Sequence, residues 1–573
     1  MLAATDLNNP GYSVLLALLL FIAASVWLGT VAQKAMEKKD FLKGFFLGNR
    51  GLGAWALALT ATVQSGGTFM GFPALVYSHG WIVLLWIGSY MVVPLMGFAV
   101  VGKRLAHLSR LTDSFTVPDL LRERFADPRI GLVSSIMIIT FMSFTMFAQF
   151  KAGATIMKHA WPGSGVLSLS EDYEVPSVEK SADGKAAAPA KRSIDKKYYV
   201  GLVVFTLTVV GYTLIGGFLA SVWTDLFQSI MMVIGVMILL FLALPMAGGL
   251  EQASRTAIEV TSPEIAMGPG FSKNGREFLT PGLAISMFVI WVFGGFVSPA
   301  SMVRVMAASN TEVMRKSICL LSCYNCLIYI PLVMICIAAH TILPGLSSPD
   351  EVIPRLAMTV TEKLPFGSFI SGLILAAPFG AIMASVSCFI LVISSGLVQD
   401  IYVRFLHPTA TEAQVRRATN VSMIGVGLIA ILANLNPPTY LQALVVISGS
   451  GGGAAFTVPV LMACYWRRTT AAGMLAGMLV GFFCYFGLSA TGWIQNWAMA
   501  SMETNELARS IISFLGADPM IGIQGIFRPY YVFGLDPVVW AILASAIAGI
   551  GTTLITTPPP EEHVSRFFDI RTA

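Results

Sequence analysis

The sequence predicts an all-α polytopic membrane protein of about thirteen transmembrane helices, and two observations carry that prediction. Charge is scarce: Asp, Glu, Lys and Arg fill only 12% of the 573 positions, about half the roughly 25% of a soluble protein. Hydrophobic residues fill 55% and the mean hydropathy is +0.74, so a soluble fold of this length has too little polar surface to cover itself. The second observation is continuity. The apolar residues run in long unbroken stretches, whereas the strands of a membrane barrel alternate. Collagen, disorder, disulfide scaffolds and nucleic-acid binding are excluded on composition. The net charge of +5 needs no acidic partner, because the basic residues lie between apolar spans.

A membrane helix needs about 20 apolar residues, at roughly 1.5 Å each across a hydrocarbon core of about 30 Å. Thirteen stretches qualify, near residues 11–32, 51–78, 81–101, 131–157, 198–217, 219–246, 281–303, 317–339, 366–396, 418–434, 440–464, 471–489 and 535–555. The first has only Asp6 before it and a basic run after it, so it reads as a retained helix rather than a signal peptide. Lys34, Lys38, Lys39, Lys43 and Arg50 follow span 1, and Lys103, Arg104, Arg110, Arg122, Arg124 and Arg129 follow span 3. Arg315 and Lys316, Arg404, Arg416 and Arg417, and Arg467 and Arg468 recur after later odd-side spans. Positive residues stay inside, which places the N-terminus outside and the C-terminus in the cytoplasm of a cell whose inner membrane holds the chain.

The spans divide into an N-terminal extra helix with a basic loop (1–50), two five-helix units (51–250 and 251–465), and two further helices (466–573). Residues 162–197 form a polar external insertion whose six acidic and six basic residues cancel, read as mobile. A second long external segment, 490–533, has room for a short amphipathic helix, and the tail after 555 is too short for a signalling or enzymatic domain.

Two spans are interrupted at the depth where a membrane helix is normally most apolar. Span 2 carries Gln64-Ser65-Gly66-Gly67-Thr68 with Pro73 beyond, and span 7 carries Gly294-Gly295 and then Ser298-Pro299. Glycine pairs and proline weaken the helical ladder, and the freed backbone groups need protein, water or a bound solute. One such break reads as close helix packing. A matched pair, each opening a run of five spans, points to a transporter's binding site.

Span 9 reads Ala381-Ile382-Met383-Ala384-Ser385-Val386-Ser387-Cys388. Its hydroxyls either bond back to their own carbonyls or help bare carbonyls of span 2 hold a hard monovalent cation. Asp225 lies inside span 6, where a carboxylate costs about 2.5–3.5 kcal/mol, so it faces either a wet cation path or a structural hydrogen bond. Lys151 lies inside span 4. It snorkels to the outer surface, meets a substrate carboxylate, or stands in for a cation. Cys319, Cys323 and Cys326 share one face of span 8 and cannot converge on a metal cluster without unwinding it, which leaves packing as their role. The six-residue run 448–453 (SGSGGG) lacks the strand and Gly-Lys of a phosphate loop and reads as a hinge or close crossing in span 11. Neither a catalytic triad nor a metal or nucleotide motif is present, so no enzyme is expected.

Five stretches taken in order resemble the sodium:solute symporter family: ATVQSGGTFMGFP (61–73), IGGFLASVWTDLFQ (215–228), WVFGGFVSPASMVR (291–304), LAAPFGAIMASVSCFILVISSGLVQDIY (375–402) and GGGAAFTVPVLMACYWRR (451–468). Their order and spacing match over nearly all of 40–490, nearest the sodium/pantothenate and sodium/proline branch. The resemblance implies a leucine-transporter-like five-plus-five inverted repeat and sodium-coupled symport of a small organic solute by alternating access. It also implies a sodium site made of the carbonyls of Ala61, Gln64 and Ala381 and the hydroxyl of Ser385. Ala384 stands where the family has a second hydroxyl, which puts sodium affinity and stoichiometry in question and leaves proton-coupled or sodium-independent transport as the alternative. A channel or sensor ranks below both. Ser65, Thr68, Trp291, Gly295 and Pro299 would line the solute pocket, and Asp225 would be a cation waypoint toward the cytoplasm. Gly295 replaces an aromatic residue of the proline branch, which implies a larger pocket. The expected partners are a small organic solute, such as a monocarboxylate, vitamin or amino acid, and the lipid bilayer, with no nucleic acid.

Overall fold

The structure is a computed structural model that describes residues 11–36, 52–61, 65–114, 116–162, 174–177, 190–193, 196–268, 279–295, 297–346, 348–436, 441–502, 505–515 and 530–568. Among these, twelve helices are long and apolar enough to cross a membrane. One of the twelve, Gly67–Thr112, is divided at Gly80, whose φ of 72° is closed to side chains and whose Cβ would meet the Ile265 carbonyl oxygen at 2.3 Å. Counting its two parts separately gives thirteen spans. They are α1 (Tyr12–Met36), α2 (Ala54–Ala61 and 67–79), α3 (83–112), α4 (Pro128–Ala160), α5 (Lys196–Ile215) and α6 (Ser221–Met246). There follow α7 (Pro281–Met306), α8 (Thr311–Ile342), α9 (Gly367–Leu406), α10 (Glu412–Ala433), α11 (Leu441–Tyr465), α12 (Ala471–Ser501) and α13 (Pro537–Ile555). The α5–α6 junction turns at Gly217, at φ 58°.

α9 is the axis of the bundle. Its most apolar stretch is 94% buried, and it packs against α1, α4, α5 and α6. Ala, Gly and Ser fill its middle, so neighbouring backbones come close: a Cβ on Gly372 would lie 2.7 Å from the Val14 carbonyl oxygen of α1. The run at 448–453 is a close crossing, since a Cβ on Gly294 of α7 would lie 2.6 Å from the Gly449 carbonyl oxygen of α11.

Four expectations are corrected. α12 runs on to Ser501 rather than ending near 489, because Trp493, Ile494 and Trp497 continue its apolar surface. Beyond it, the short amphipathic helix is Glu506–Leu515. α9 extends past 396 as a wider π-helical turn, Gly396–Leu406. The insertion holds a short strand pair that the sequence reading did not foresee: Glu174–Ser177 pairs antiparallel with Ala190–Ser193, while 163–173, 178–189 and 194–195 lie outside the described residues. Cys319, Cys323 and Cys326 do not pack inward but sit on the exposed face of α8.

Candidate functional site

The first interruption falls in α2. Ala54–Ala61 ends, Gln64 and its two predecessors lie outside the described residues, and the helix resumes at Ser65. The resumed end is held by protein. Ser65 Oγ accepts the Gly67 amide at 3.1 Å, and Gln149 Oε1, from α4, accepts the Gly66 amide at 2.6 Å. The carbonyl end is held as well. The Arg304 guanidinium donates to the Thr60 carbonyl, in the last turn before the break, and to Asp225 Oδ2 at 2.6 Å. Asp225 and Arg304 are each 1% exposed. The carboxylate of α6 is therefore ion-paired to α7 and also accepts Ser221 Oγ at 3.2 Å. It does not line an open channel, and the hydrogen bond anticipated for it is an ion pair.

The second interruption is built differently. α7 runs as Pro281–Val289 and a π-helical turn, Ile290–Gly294, then leaves helical form before Pro299–Met306. Pro299 has no N–H, and the first helical bond is Met302 N–H to the Ser298 carbonyl. The amides of Ala300 and Ser301 therefore precede the ladder, and the Ser298 side chain makes no capping bond.

Between the two interruptions lies a cavity of 160 Å³. A dry cavity of about 150 Å³ takes a benzene molecule, so this one suits a small organic molecule. Ser65 and Thr68 line it from α2, and Trp291, Gly295 and Pro299 from α7, together with Ser298, Ala300 and Ser301. All five residues anticipated for the pocket thus lie on one wall system. Trp86, Tyr90 and Tyr329 complete it, with Tyr90 edge-on to Trp291 at 5.0 Å and the Tyr329 hydroxyl 3.1 Å from Thr68 Oγ1. Among the described residues no charged side chain lines it. The room expected from Gly295 is largely taken by Val93 of α3, whose Cγ2 lies 2.8 Å from where a Cβ would stand.

The anticipated ion residues are only partly placed. Ala381 and Ser385 are fully buried in α9, and Ser385 Oγ donates to the Ala381 carbonyl at 2.9 Å. That bond uses the hydroxyl proton. Ala384 is buried beside it, and its carbonyl accepts Ser387 Oγ at 3.0 Å. Ser387 in turn lies 3.0 Å from Ser221 Oγ, which connects α9 to Asp225. Ala61 closes the first half of α2, and Gln64 lies outside the described residues.

Lys151 does not snorkel free, nor does its ammonium reach the cavity. It donates to Asp350 Oδ2 at 2.8 Å, with side-chain exposures of 12% and 9%. An acid in the segment after α8 has taken the place expected for solvent or substrate.

Sequence reasoning missed Arg304, Gln149 and Tyr329 as site residues. Arg304 closes one of the quoted motifs, and Gln149 is an amide inside an apolar span; intramembrane polar groups of this kind mark function. Tyr329 carried no such signal.

The chain matches the sodium:solute symporter family over residues 45–164 and 186–481. It belongs to that family. Similar proteins include a sodium/pantothenate symporter of Haemophilus influenzae, 27% identical over 487 residues that make up 84% of this chain and 91% of the relative. A sodium/proline symporter of Salmonella typhimurium is 25% identical over 527 residues, 90% of this chain and 95% of the relative. Among solved structures, the substrate-bound outward-open state of a Na+-coupled sialic acid symporter superposes with a TM-score of 0.65 at 18% identity, covering 96% of this chain and 98% of that one. The fold is therefore leucine-transporter-like, the protein is a multi-pass membrane transporter by family, and sodium is its coupling ion.

Proposed function

We propose that this symporter moves a small organic carboxylate together with sodium, from outside to cytoplasm, with its N-terminus outside and its C-terminus inside. The observation that carries the solute reading is the second break. It puts Ala300 and Ser301, whose amides precede the helical ladder at the positive end of Pro299–Met306, on the wall of a cavity that no charged side chain lines among the described residues, and a helix N-terminus suits an anionic oxygen. Aromatic walls suit the apolar body of the solute. The relatives' named solutes, pantothenate and proline, both carry a carboxylate. Ser65, Thr68, Trp291, Gly295 and Pro299 contact the solute.

Sodium sits between α2 and α9, on the carbonyls of Ala61, Gln64 and Ala381 and the Ser385 hydroxyl. Its binding favours the outward-open state and completes the solute pocket. The two five-helix units, 51–250 and 251–465, then rock, and both cargoes leave inward past Asp225, once the Arg304 pair has shifted. One net positive charge carried inward, as with one sodium and a zwitterionic solute, gains about 2.3 kcal/mol per 100 mV, enough at about 1.4 kcal/mol per decade for roughly 50-fold accumulation; one sodium with a monoanion is electroneutral and draws on the sodium gradient alone.

Ala384 favours a second reading, in which the same fold runs on protons or passively. Counterflow in proteoliposomes loaded with carboxylates and matched analogues that lack the carboxylate, such as proline with prolinamide and pantothenate with panthenol, tests both. Exchange of the acids that requires sodium supports symport of carboxylates. Equal exchange in potassium points to the second reading, and preference for the analogues without a carboxylate removes the carboxylate.

A further inference from the structure

The segment that follows α8 is strapped across the second half of α2 and fastened on both sides. On one side Tyr77, near the end of α2, donates to the Leu343 carbonyl at 2.6 Å and accepts the Leu346 amide at 3.1 Å. On the other side the fastening is ionic and comes from α4. Lys151 Nζ meets Asp350 Oδ2 at 2.8 Å, Lys158 Nζ meets Glu351 Oε1 at 3.2 Å, and His159 Nε2 lies 3.4 Å from Glu351 Oε2. Arg355, one turn on, adds a bond to Glu351 at 2.8 Å. Between these fastenings the turn Pro349–Glu351 packs on Gly67–Gly71, immediately beyond the first break. The same helix α4 holds that break through Gln149.

We propose that the Lys151–Asp350 and Lys158–Glu351 pairs are a releasable outer latch, closed in this structure, that holds residues 343–361 over α2 and opens when cargo loads from outside. The proposal rests on the topology and the alternating-access cycle given above. Three features favour a latch over a purely structural clamp. The pairs join two elements that are far apart in the chain and meet at the mouth of the broken helix. Among the described residues Asp350 Oδ1 is buried with no hydrogen-bond partner, so there the pair is not embedded in a fully satisfied network of the kind that fixes a structure permanently. Lys151 and Asp350 are nearly out of water, where a pair is either made well or broken at a cost, which gives two distinct states. Acid does not release the Glu351 contacts early. Burial alone would raise the Glu351 carboxyl, but His159, Lys158 and Arg355 hold it well below the ordinary carboxylate range. Its contribution is therefore present above the usual glutamate value near 4.5 and is lost only as pH falls below that.

Hydrogen exchange on the full chain in lipid nanodiscs, read beside sodium-driven uptake, tests the latch. Lys151→Met and Asp350→Asn should each raise exchange in 343–361 about tenfold, the change expected if the closed-to-open ratio falls by one decade, and should lower uptake. Exchange in α10 should stay unchanged. The swapped pair, Lys151→Asp with Asp350→Lys, should restore both readouts. Should the single variants insert poorly, Lys151→Arg keeps the charge and should leave exchange near the parent value, while Glu351→Gln probes the second pair. Unchanged exchange in 343–361 would overturn the latch, and raised exchange with full uptake would remove its part in loading. Absence of sodium-driven uptake in the parent protein would instead overturn the proposed function while leaving the exchange result readable.

Discussion

The two interrupted helices look alike in sequence and are built to different ends. In α2 both cut ends are met by protein: Gln149 and Ser65 take the amides of Gly66 and Gly67, and Arg304 takes the Thr60 carbonyl. In α7 Ala300 and Ser301, whose amides precede the helical ladder, line the cavity, and the Ser298 side chain makes no capping bond. The first break is braced by protein on both of its described sides. The second presents helix-start amides, which are hydrogen-bond donors, on the side that lines the cavity. Arg304 belongs to the second half of α7 yet braces α2 and Asp225, so movement at one break is felt at the other.

Substitutions can separate these two designs. The largest effect is expected from Arg304→Ala, which strips the Thr60 carbonyl and leaves Asp225 buried and unpaired. Removing one partner of a buried pair costs about 3–5 kcal/mol, visible as a large drop in thermal unfolding midpoint and near-complete loss of uptake. Asp225→Asn leaves the buried Arg304 without its counter-ion, so it too should lower the unfolding midpoint, and it should lose most sodium-driven uptake; normal uptake would remove its role on the cation path. Gln149→Leu leaves the Gly66 amide unpaired at about 1–3 kcal/mol, and should weaken sodium activation more than solute KM. Ser298→Ala should do the reverse, raising solute KM several-fold with little change in stability or sodium dependence. The smallest change is expected from Ala384→Ser, which restores a hydroxyl beside Ser385 and should lower the sodium concentration for half-maximal uptake. An unchanged value there would place the ion elsewhere.

Much of this was legible in the sequence, for identifiable reasons. Helix number follows from apolar length alone, and the two breaks follow from glycine and proline at a depth where neither is free. Ser65, Thr68, Trp291, Gly295 and Pro299 come together on one cavity wall because they flank those breaks. What stayed hidden depends on partners distant in sequence. Asp225 alone cannot announce that Arg304, 79 residues on, neutralises it. Lys151 alone suggests water or substrate, and only the fold brings Asp350 to it across 199 residues. The surroundings of Gly295 were hidden for the same reason, since Val93 arrives from another helix to stand close to where a Cβ would be. The end of α12 was missed because serine and glutamine residues (Ser489, Gln495) lower its average apolarity while its aromatic side chains carry the helix on.

The central claim is that a braced break in α2, facing Ser385 of α9, holds sodium. Calorimetric titration of the purified protein with sodium chloride at constant ionic strength, potassium replacing sodium, tests it most directly. Saturable binding that potassium does not reproduce, weakened in Ser385→Ala and strengthened in Ala384→Ser, is the predicted result. Binding that is absent, or indifferent to both substitutions, would contradict the account.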